Sequence, residues 1–172
     1  MIMAVLTRKI IIEKIENKEL IISPYDEKSI GPASIDLHLD NQFRTFRTIR
    51  SIYHLTSKAD FHDLTKLVTI KDYFLLMPGQ TAHGITIEKI KLPQNICGRI
   101  EGRSSLGRLG LMVHITASFV QPGSSGKQVL EFNNAGPIPL AIHPGINICQ
   151  LILEETLGQA KYQGKFVDQT TP

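Results

Sequence analysis

Residues 101–111 read Glu101-Gly-Arg-Ser-Ser-Leu-Gly-Arg-Leu-Gly-Leu111, a stretch that predicts a short helical turn between two strands. It holds two arginines and two adjacent serines beside a glycine. Backbone N–H groups at the start of a helix, hydroxyl groups and guanidinium groups all favour bound anions, phosphate above all. The stretch therefore predicts an anion-binding turn.

A single carboxylate in an apolar run is the second informative feature. Glu131 follows Val129 and Leu130 and precedes Phe132. A charge among apolar side chains costs free energy unless it has a partner or a chemical task. On an alternating strand, Glu131 shares one face with Val129 while its immediate neighbours point to the other face. With the anion-binding turn, this carboxylate indicates an enzyme acting on a phosphorylated small molecule. A glutamate ion-paired within a barrel or an interface stays open as an alternative.

The length and composition predict one soluble globular domain. The 172 residues are 42% hydrophobic and 20% charged, which is ordinary for such a domain and sufficient for a buried core. The net charge of +3 is mild, and the chain has no tryptophan and only 6% aromatic residues. Nucleic-acid binding usually needs a concentrated basic stripe with aromatic platforms. The composition therefore predicts no nucleic-acid partner.

The cysteines and the N-terminus bear on the compartment. Cys97 and Cys149 each lie in an apolar strand-like run, and their spacing matches no zinc or redox motif, so both are predicted to be reduced buried thiols. No apolar segment is long enough to span a bilayer, and residues 1–14 show no signal-peptide cleavage pattern. The sequence therefore predicts a cytoplasmic protein with no membrane partner.

Hydrophobic periodicity predicts one helix near the N-terminus and strands elsewhere. Thr7 is a candidate N-cap, and the helix after it carries Ile11, Ile12 and Ile15 on one face. Alternating or apolar runs separated by proline and glycine predict strands over residues 34–39, 74–77, 81–90, 97–101, 112–120, 128–133, 140–142 and 146–154. Many short strands at near-regular spacing favour an antiparallel barrel or a jelly-roll-like sandwich.

Two polar segments stand apart from this pattern. Residues 48–66 show no clean period and are predicted to form an excursion or a flexible loop. Residues 158–172 are polar and contain glycine, so they are predicted to be a flexible tail or lid after a β domain over 1–157. The first segment also holds potential metal ligands, which a polar loop is expected to leave solvated: His54, Asp60, His62 and Asp63.

Five motifs resemble, in order and spacing, those of dCTP deaminases, which belong to the dUTPase superfamily. The resemblance runs from about Met1 to Tyr162. Gly-Arg-Ser-Ser alone is shared with dUTPases, whereas the longer string through Leu-Met-Val-His, joined to Leu-Glu-Phe, is more specific to deaminases. The motifs are Ile30-Gly-Pro-Ala-Ser-Ile-Asp-Leu, Met77-Pro-Gly, Gly102-Arg-Ser-Ser-Leu-Gly-Arg-Leu-Gly-Leu-Met-Val-His114, Val129-Leu-Glu-Phe and Ile142-His-Pro-Gly145.

The resemblance implies a mainly β fold, a distorted dUTPase-type barrel with an N-terminal helix and one short internal helix. It also implies a homotrimer with active sites shared between neighbouring subunits, dCTP as substrate, and dTTP as a possible feedback inhibitor. Mg²⁺ would be bound through the nucleotide phosphates, with no metal held by the protein. Zinc-dependent deaminases need His-x-Glu with Pro-Cys-x-x-Cys, and no histidine here is followed two residues later by glutamate. Any deamination is therefore expected to proceed without zinc.

The same resemblance assigns catalytic roles. Glu131 is predicted to take a proton from the attacking water and to deliver one to departing ammonia, as a carboxylate in an apolar strand can. Ser104 and Arg108 would flank the cytosine and the water, with Arg108 steadying the developing negative charge. The alternatives are a capping serine and a surface arginine. The backbone carbonyl of Ala117, in a strand predicted over 114–117, would help to hold the water.

Substrate-binding residues are also carried over from the resemblance. Phosphate contacts are expected from the turn and from a later strand, and the turn at His114-Ile115 is linked to inhibition by dTTP. The C-terminal Lys-Tyr-Gln-Gly resembles a lid that folds over the nucleotide, although a solvated terminus is the simpler reading of such a tail. The predicted substrate-binding residues are Arg103, Ser105, His114, Ile115, Gln121, Val129, Leu130, Gln150, Lys161, Tyr162 and Lys165.

Three positions depart from the family pattern. Gln121 stands where the superfamily usually has the aspartate that, in dUTPases, activates water against the α-phosphate. A glutamine amide is not a general base at pH 7, which argues against diphosphatase activity. Phe119 stands where deaminases commonly have an arginine, so nucleotide binding is expected to be weaker or the phosphate to be repositioned. The segment before Lys161 is short, and Lys165 replaces a glutamine of the lid.

The sequence thus predicts a metal-free dCTP deaminase that releases dUTP and ammonia and feeds dUMP and dTTP synthesis. One rival is a dUTP diphosphatase or a bifunctional enzyme that forms dUMP and pyrophosphate, against which Gln121 counts. A second rival is a nucleotide-sensing paralogue without turnover, which Phe119 and the altered lid favour. Retention of Glu131, Ser104 and Arg108 counts against that sensor.

Overall fold

The computed structural model describes residues 4–48 and 50–172. The predicted N-terminal helix is confirmed as α1, Arg8–Glu16. Ile11 is fully buried, and Ile12 and Ile15 are partly buried against the same core. Thr7 occupies the N-cap position in an extended conformation, but its side chain makes no capping hydrogen bond. The helix is therefore held by its apolar face more than by its cap.

The described residues form eleven strands and three short helical segments. The strands are β1 Ile21–Ser23, β2 Ile35–Phe46, β3 Thr65–Thr69, β4 Phe74–Leu76, β5 Thr81–Lys91, β6 Ile96–Gly102, β7 Leu111–Val113, β8 Phe119–Val120, β9 Ser125–Asn134, β10 Leu140–Ile142 and β11 Asn147–Glu155. The short segments are a 3₁₀ turn at Glu27–Ser29, α2 at Phe61–Leu64 and α3 at Ser104–Gly107. The short internal helix predicted after Gly102 is therefore present as α3.

Nine of these strands in the described part of the chain pair into one curled antiparallel sheet. Its order is β7-β9-β5-β2-β11-β6-β8, with β1 added to β5 and β3 added to β2, while β4 and β10 form a separate ribbon. Register shifts interrupt the pairing of β2 with β5, of β5 with β9 and of β2 with β11. Because such irregularities bend and twist a strand, the sheet curls into a half-barrel. The predicted mainly β, barrel-like fold is confirmed, and the trimer stays a prediction.

The core gathers alternate buried residues of β2, β5, β9 and β11 together with Ile11 of α1. Phe43 stacks on Phe74 with ring centroids 4.5 Å apart. At Gly84 on β5, an added Cβ would lie 2.4 Å from Cε2 of Phe132. Glycine is therefore required at that position, because the Phe132 ring covers the backbone directly.

The predicted continuous strand over residues 112–120 is wrong. Strand β7 ends at Val113 and pairs with β9, whereas β8 begins at Phe119 and pairs with β6 at the opposite end of the sheet order. His114 has φ 63°, a left-handed conformation that turns the chain out of the sheet. Residues 114–118 are consequently a loop, and the strand predicted over 114–117 is corrected with them.

The polar excursion and the tail both contact the sheet. Within residues 48–66, outside position 49, which is not described, α2 is followed at once by β3. In the tail, the N–H of Tyr162 donates to the carbonyl of Pro122 at 2.9 Å, and the N–H of Lys127 donates to the carbonyl of Gln169 at 2.8 Å. The tail therefore lies beside β9 in this structure, and its role as a flexible lid stays a prediction.

Candidate functional site

A cleft of about 540 Å³ opens on the outward face of β9. Loop 114–118, β8, the turn before β9 and the tail form its walls, and β5 and α2 close one end. Several residues predicted for the site line this cleft: Glu131, Ala117, His114, Gln121, Val129 and Tyr162. Phe119, the departure from the family pattern noted above, lines it too and is half exposed.

Glu131 lies near the middle of β9 with strands on both sides. Its side chain points away from the core and is 32% exposed. The backbone N–H of Ile115 donates to Glu131 Oε2 at 3.3 Å, and Nδ1 of His114 lies 3.9 Å from the same oxygen. The left-handed turn at His114 folds the loop back over β9, so the loop and the carboxylate hold each other in place.

His114 is the more enclosed partner of this pair. Its side chain is 11% exposed, and within the described residues its Nδ1 has no hydrogen-bond partner. Burial lowers the pKa of His114, although the nearby Glu131 and Glu101 carboxylates act in the opposite direction. His114 is therefore neutral at pH 7 and offers the cleft a polar ring nitrogen without a charge.

A second, shallower groove of about 420 Å³ lies beside α3. Arg103, Ser104 and Gln150 line it, and His114 forms a wall that this groove shares with the main cleft. Arg103 forms an ion pair with Asp36 of β2, and Gln150 donates to the carbonyl of Gly102 at 3.3 Å. Two of the predicted phosphate-binding residues, Arg103 and Gln150, therefore lie together, but not in the same depression as Glu131.

The remaining predicted residues lie outside the lining of both depressions as far as the described chain shows. The Leu130 side chain is fully buried in the core, so only its backbone can face a ligand. Ser105 and Arg108 are exposed on and just after α3, and the N–H of Arg108 donates to the carbonyl of Ser104 at 3.1 Å. Ile115 reaches the site only through its backbone N–H, which donates to Glu131. Lys161 and Lys165 lie exposed on the tail.

Sequence reasoning missed several residues that the structure places in the main cleft. His83, Phe61, Lys127 and Phe166 all line it. His83 is on β5 directly opposite Glu131 in the β5–β9 register. A lone histidine in an alternating strand was the signal in the sequence, but only strand pairing shows that it faces the carboxylate.

The polar excursion forms a small ion-pair cluster at the edge of this cleft. Nδ1 of His62 lies 2.6 Å from Asp60 Oδ1, and Lys165 Nζ lies 3.4 Å from Asp60 Oδ2. The pKa of Asp60 is lowered to about 2, chiefly by the backbone N–H of His62 and then by its side chain.

Among residues 4–48 and 50–172, no cluster of three or more histidine, cysteine, aspartate or glutamate side chains is arranged to hold a metal ion. The helices in this part of the chain are too short or too polar to cross a membrane.

Comparison with known sequences gives a consistent family. The model of the dCTP deaminase-like family matches residues 5–156. A protein of Corynebacterium kroppenstedtii named "dCTP deaminase, dUMP-forming" is 40% identical over 167 residues, covering 92% of this chain and 89% of that protein. A protein of the same name from Methanobrevibacter smithii is 35% identical over 181 residues, covering 99% of this chain and 93% of that protein.

Comparison with solved structures gives the same fold. A 2'-deoxycytidine 5'-triphosphate deaminase from Agrobacterium tumefaciens superposes with a TM-score of 0.68 at 20% identity. The match covers 89% of this chain and 48% of that one, so this chain spans about half of the solved deaminase's length. A dUTPase mutant from phage phi11 of S. aureus, described as coordinating a structural Mg(II) ion, superposes with a TM-score of 0.52 at 12% identity over 85% of this chain.

Proposed function

The chain belongs to the dCTP deaminase-like family, and from that premise we propose that it hydrolyses dCTP to dUTP and ammonia. One observation carries the proposal. The Glu131 carboxylate lies on the outward face of β9 inside a cleft and accepts a hydrogen bond from the N–H of Ile115. Among the described residues, it forms no ion pair with a lysine or an arginine. A carboxylate held this way in the described structure is free to accept a proton.

The chemistry follows from that position. As water attacks C4 of cytosine, Glu131 takes a proton from it, and a C–O bond forms. The protonated carboxyl group then returns that proton to the amino group, and the proton of the new C4 hydroxyl group passes to N3. The C–N bond breaks, ammonia leaves, and C4 becomes the carbonyl of uracil. Ala117 lines the same cleft, and its carbonyl would accept a hydrogen bond from the water before attack.

The phosphate-binding role is proposed for the groove beside α3. Arg103 would bind phosphate oxygens through its guanidinium group, with Gln150 in the groove and the exposed Ser105 on α3 as neutral donors. The ion pair with Asp36 restricts the rotamers of Arg103 before any ligand arrives. An arginine held in this way loses less conformational entropy when it binds a phosphate.

A complete site would combine the two depressions from neighbouring chains. In one chain, Ser104 and Arg108 are exposed beside α3 while Glu131 lies in the main cleft. A homotrimer would bring Ser104 and Arg108 of one chain against Glu131 of the next, with Arg108 steadying the charge that develops at C4. His114 and Ile115, which contact Glu131, are then placed where a bound dTTP would act.

The role proposed for Mg²⁺ is confined to the nucleotide. Magnesium is commonly held by one or two carboxylates together with substrate phosphates and water. In the proposed reaction the metal is carried by the triphosphate oxygens of the substrate. Mg²⁺ bound there would neutralise phosphate charge, and the reaction at C4 would proceed on the chain's own residues.

The product is assigned to dUTP because of Gln121. This residue lines the main cleft, and its amide cannot take a proton from water at pH 7. The rival is release of dUMP and pyrophosphate, and the names of the sequence relatives favour it, since those proteins are called dUMP-forming. Gln121→Asp would restore a carboxylate and should raise the yield of dUMP if the nearby geometry supports the second hydrolysis.

The tail is proposed to close over the bound nucleotide. Tyr162 lines the main cleft, and Lys161 and Lys165 are exposed beside it. The positive charges of the two lysines complement the negative charge of a triphosphate. Lys165 would exchange its ion pair with Asp60 for a phosphate contact when the lid closes.

The deciding experiment is incubation of the purified protein with dCTP and Mg²⁺, with products separated by ion-exchange chromatography and ammonia assayed in parallel. Persisting dUTP with an equimolar amount of ammonia is the expected result. Accumulating dUMP would overturn the assignment based on Gln121 and establish the bifunctional reaction. Binding of dCTP with no ammonia would instead make the protein a nucleotide sensor.

A further inference from the structure

Four side chains form a row across the outward face of the sheet. Arg44 on β2 pairs in register with His83 on β5, and His83 pairs in register with Glu131 on β9. On the far side of Glu131, His114 Nδ1 lies 3.9 Å from the carboxylate. Directly opposed residues in an antiparallel pair have Cβ atoms only about 5 Å apart. His83 therefore lies between a permanent cation and the proposed catalytic carboxylate.

The ring of His83 is enclosed by aromatic side chains. Phe46 meets it edge-on with centroids 5.4 Å apart, and Phe61 meets it edge-on at 5.8 Å. His83 also lines the main cleft together with Glu131. Its open side consequently faces the place where the reaction is proposed to occur.

This enclosure affects the protonation of His83. Burial is the main cause that lowers the pKa of His83, Glu131 acts to raise it, and Arg44 adds to the lowering. The net direction is downward from the ordinary value of 6.5. His83 is therefore neutral at pH 7 and becomes an imidazolium only in more acidic solution.

The other titratable groups near His83 leave Glu131 as its nearest anionic partner among those described. From α2, the apolar ring of Phe61 faces His83. His62 stacks on the Phe61 ring with centroids 4.1 Å apart and pairs with Asp60. From β2, Arg44 faces it as a cation that already donates to the backbone carbonyl of Pro172. A proton gained by His83 would therefore be stabilised chiefly by Glu131.

We propose that His83 is a positioning residue for Glu131: as a neutral ring it leaves the carboxylate free to act as a base, and as an imidazolium it pairs with the carboxylate and withdraws it from the reaction. This inference rests on the proposed deamination. An ion-paired carboxylate binds a proton less readily, so it takes one from water less effectively. Deamination should then be fully active while His83 is neutral and should be lost as the pH falls through the lowered pKa of His83.

The first test is the pH dependence of kcat/KM for the wild type, His83→Leu and a control, His143→Leu. His143 is an exposed histidine after β10, 3.6 Å from Asp72 and outside the lining of the main cleft. In His83→Leu the midpoint of the acid limb should move down by about one pH unit, and in the control it should stay. An acid limb that does not move in a folded His83 variant overturns the inference. His83→Gln, which keeps polarity without titrating, provides the same test if the leucine variant does not fold.

The second test does not depend on turnover. The His83 ring is titrated by NMR in the wild type and in Glu131→Gln, with the assignment made from the His83→Gln spectrum. Because the Glu131 carboxylate raises the pKa of His83, its removal should lower that pKa further. An unchanged titration would overturn the inference even if the protein deaminates dCTP. A wild type that releases no ammonia while the titration shifts as expected would count against the proposed function alone.

Discussion

The two faces of β9 have opposite surroundings, one in the core and one in the main cleft. On the inner face, Leu130 and Phe132 are fully buried. On the outer face, Val129 and Glu131 line the main cleft. Successive residues on a strand point to opposite sides, so a single residue step separates the core from the proposed chemistry.

The comparison teaches how the fold holds a reactive carboxylate in place. Glu131 itself makes few contacts, but the backbone that carries it is fixed by pairing with β5 and β7 and by the buried side chains beneath. The inner face therefore supplies rigidity and the outer face supplies function. Substitutions on the two faces should separate loss of stability from loss of rate.

The largest expected effect comes from the outer face. Glu131→Gln should lower kcat by roughly 10²–10⁴-fold, because the amide cannot transfer the proton. The amide oxygen can still accept the Ile115 N–H, so the thermal midpoint and dCTP binding should remain close to those of the wild type. Ammonia release and thermal shift measure the two quantities.

Glu155→Gln is the matched control for that substitution. Glu155 is a half-exposed glutamate at the end of β11, 4.0 Å from Lys14 and outside the lining of the main cleft. The Glu155→Gln variant should deaminate dCTP at the wild-type rate. Near-normal deamination by Glu131→Gln would show that Glu131 is not the base. The outer face of β9 would then have no demonstrated role in catalysis.

The next largest effect is expected on the inner face of β9, where a substitution should lower stability. Leu130→Ala should reduce the free energy of unfolding by about 2–5 kcal/mol, since it removes buried methyl groups and leaves a cavity. Urea unfolding followed by circular dichroism measures this loss. An unchanged unfolding midpoint together with a raised KM would instead place the Leu130 side chain in the nucleotide site.

A smaller effect is expected where the outward surface continues into the groove beside α3. Arg103→Ala should raise KM for dCTP by about 10–100-fold with a smaller change in kcat, because a phosphate contact is present in the ground state and the transition state alike. Arg99→Ala is the control, since Arg99 is on the neighbouring β6 but pairs with Glu154. Equal KM values in the two variants would exclude the groove from phosphate binding.

The smallest effect is expected in the tail. Lys165→Ala removes an exposed ion pair with Asp60 at 3.4 Å, and exposed pairs contribute about 0–1 kcal/mol. A phosphate contact made by the same exposed lysine should contribute a similar amount, so KM for dCTP should rise by no more than about fivefold. A rise larger than that measured for Arg103→Ala would mean that the tail contributes more to nucleotide binding than α3 does, and the proposed lid would then be the main phosphate contact.

The sequence by itself determined the elements whose signals are local. The isoleucine periodicity of α1, the alternation of β9 and the proline and glycine breakers are patterns of adjacent residues, and the predicted helix and mainly β fold are confirmed. The same alternation predicted that Glu131 and Leu130 point to opposite faces of their strand, because successive side chains on any strand alternate between its two faces. The family motifs supplied the candidate site residues, whose roles stay predictions.

The tertiary structure alone decided what depends on residues distant in the chain. The strand predicted over 112–120 failed because β7 and β8 pair with different partners and His114 turns between them, a choice that local alternation cannot report. The separation of Arg103 from Glu131 and the pairing of His83 with Glu131 are likewise set by strand register and sheet order. Register is fixed by burying one face of each strand against all the others, and that condition is met only when the whole sheet has closed around its core.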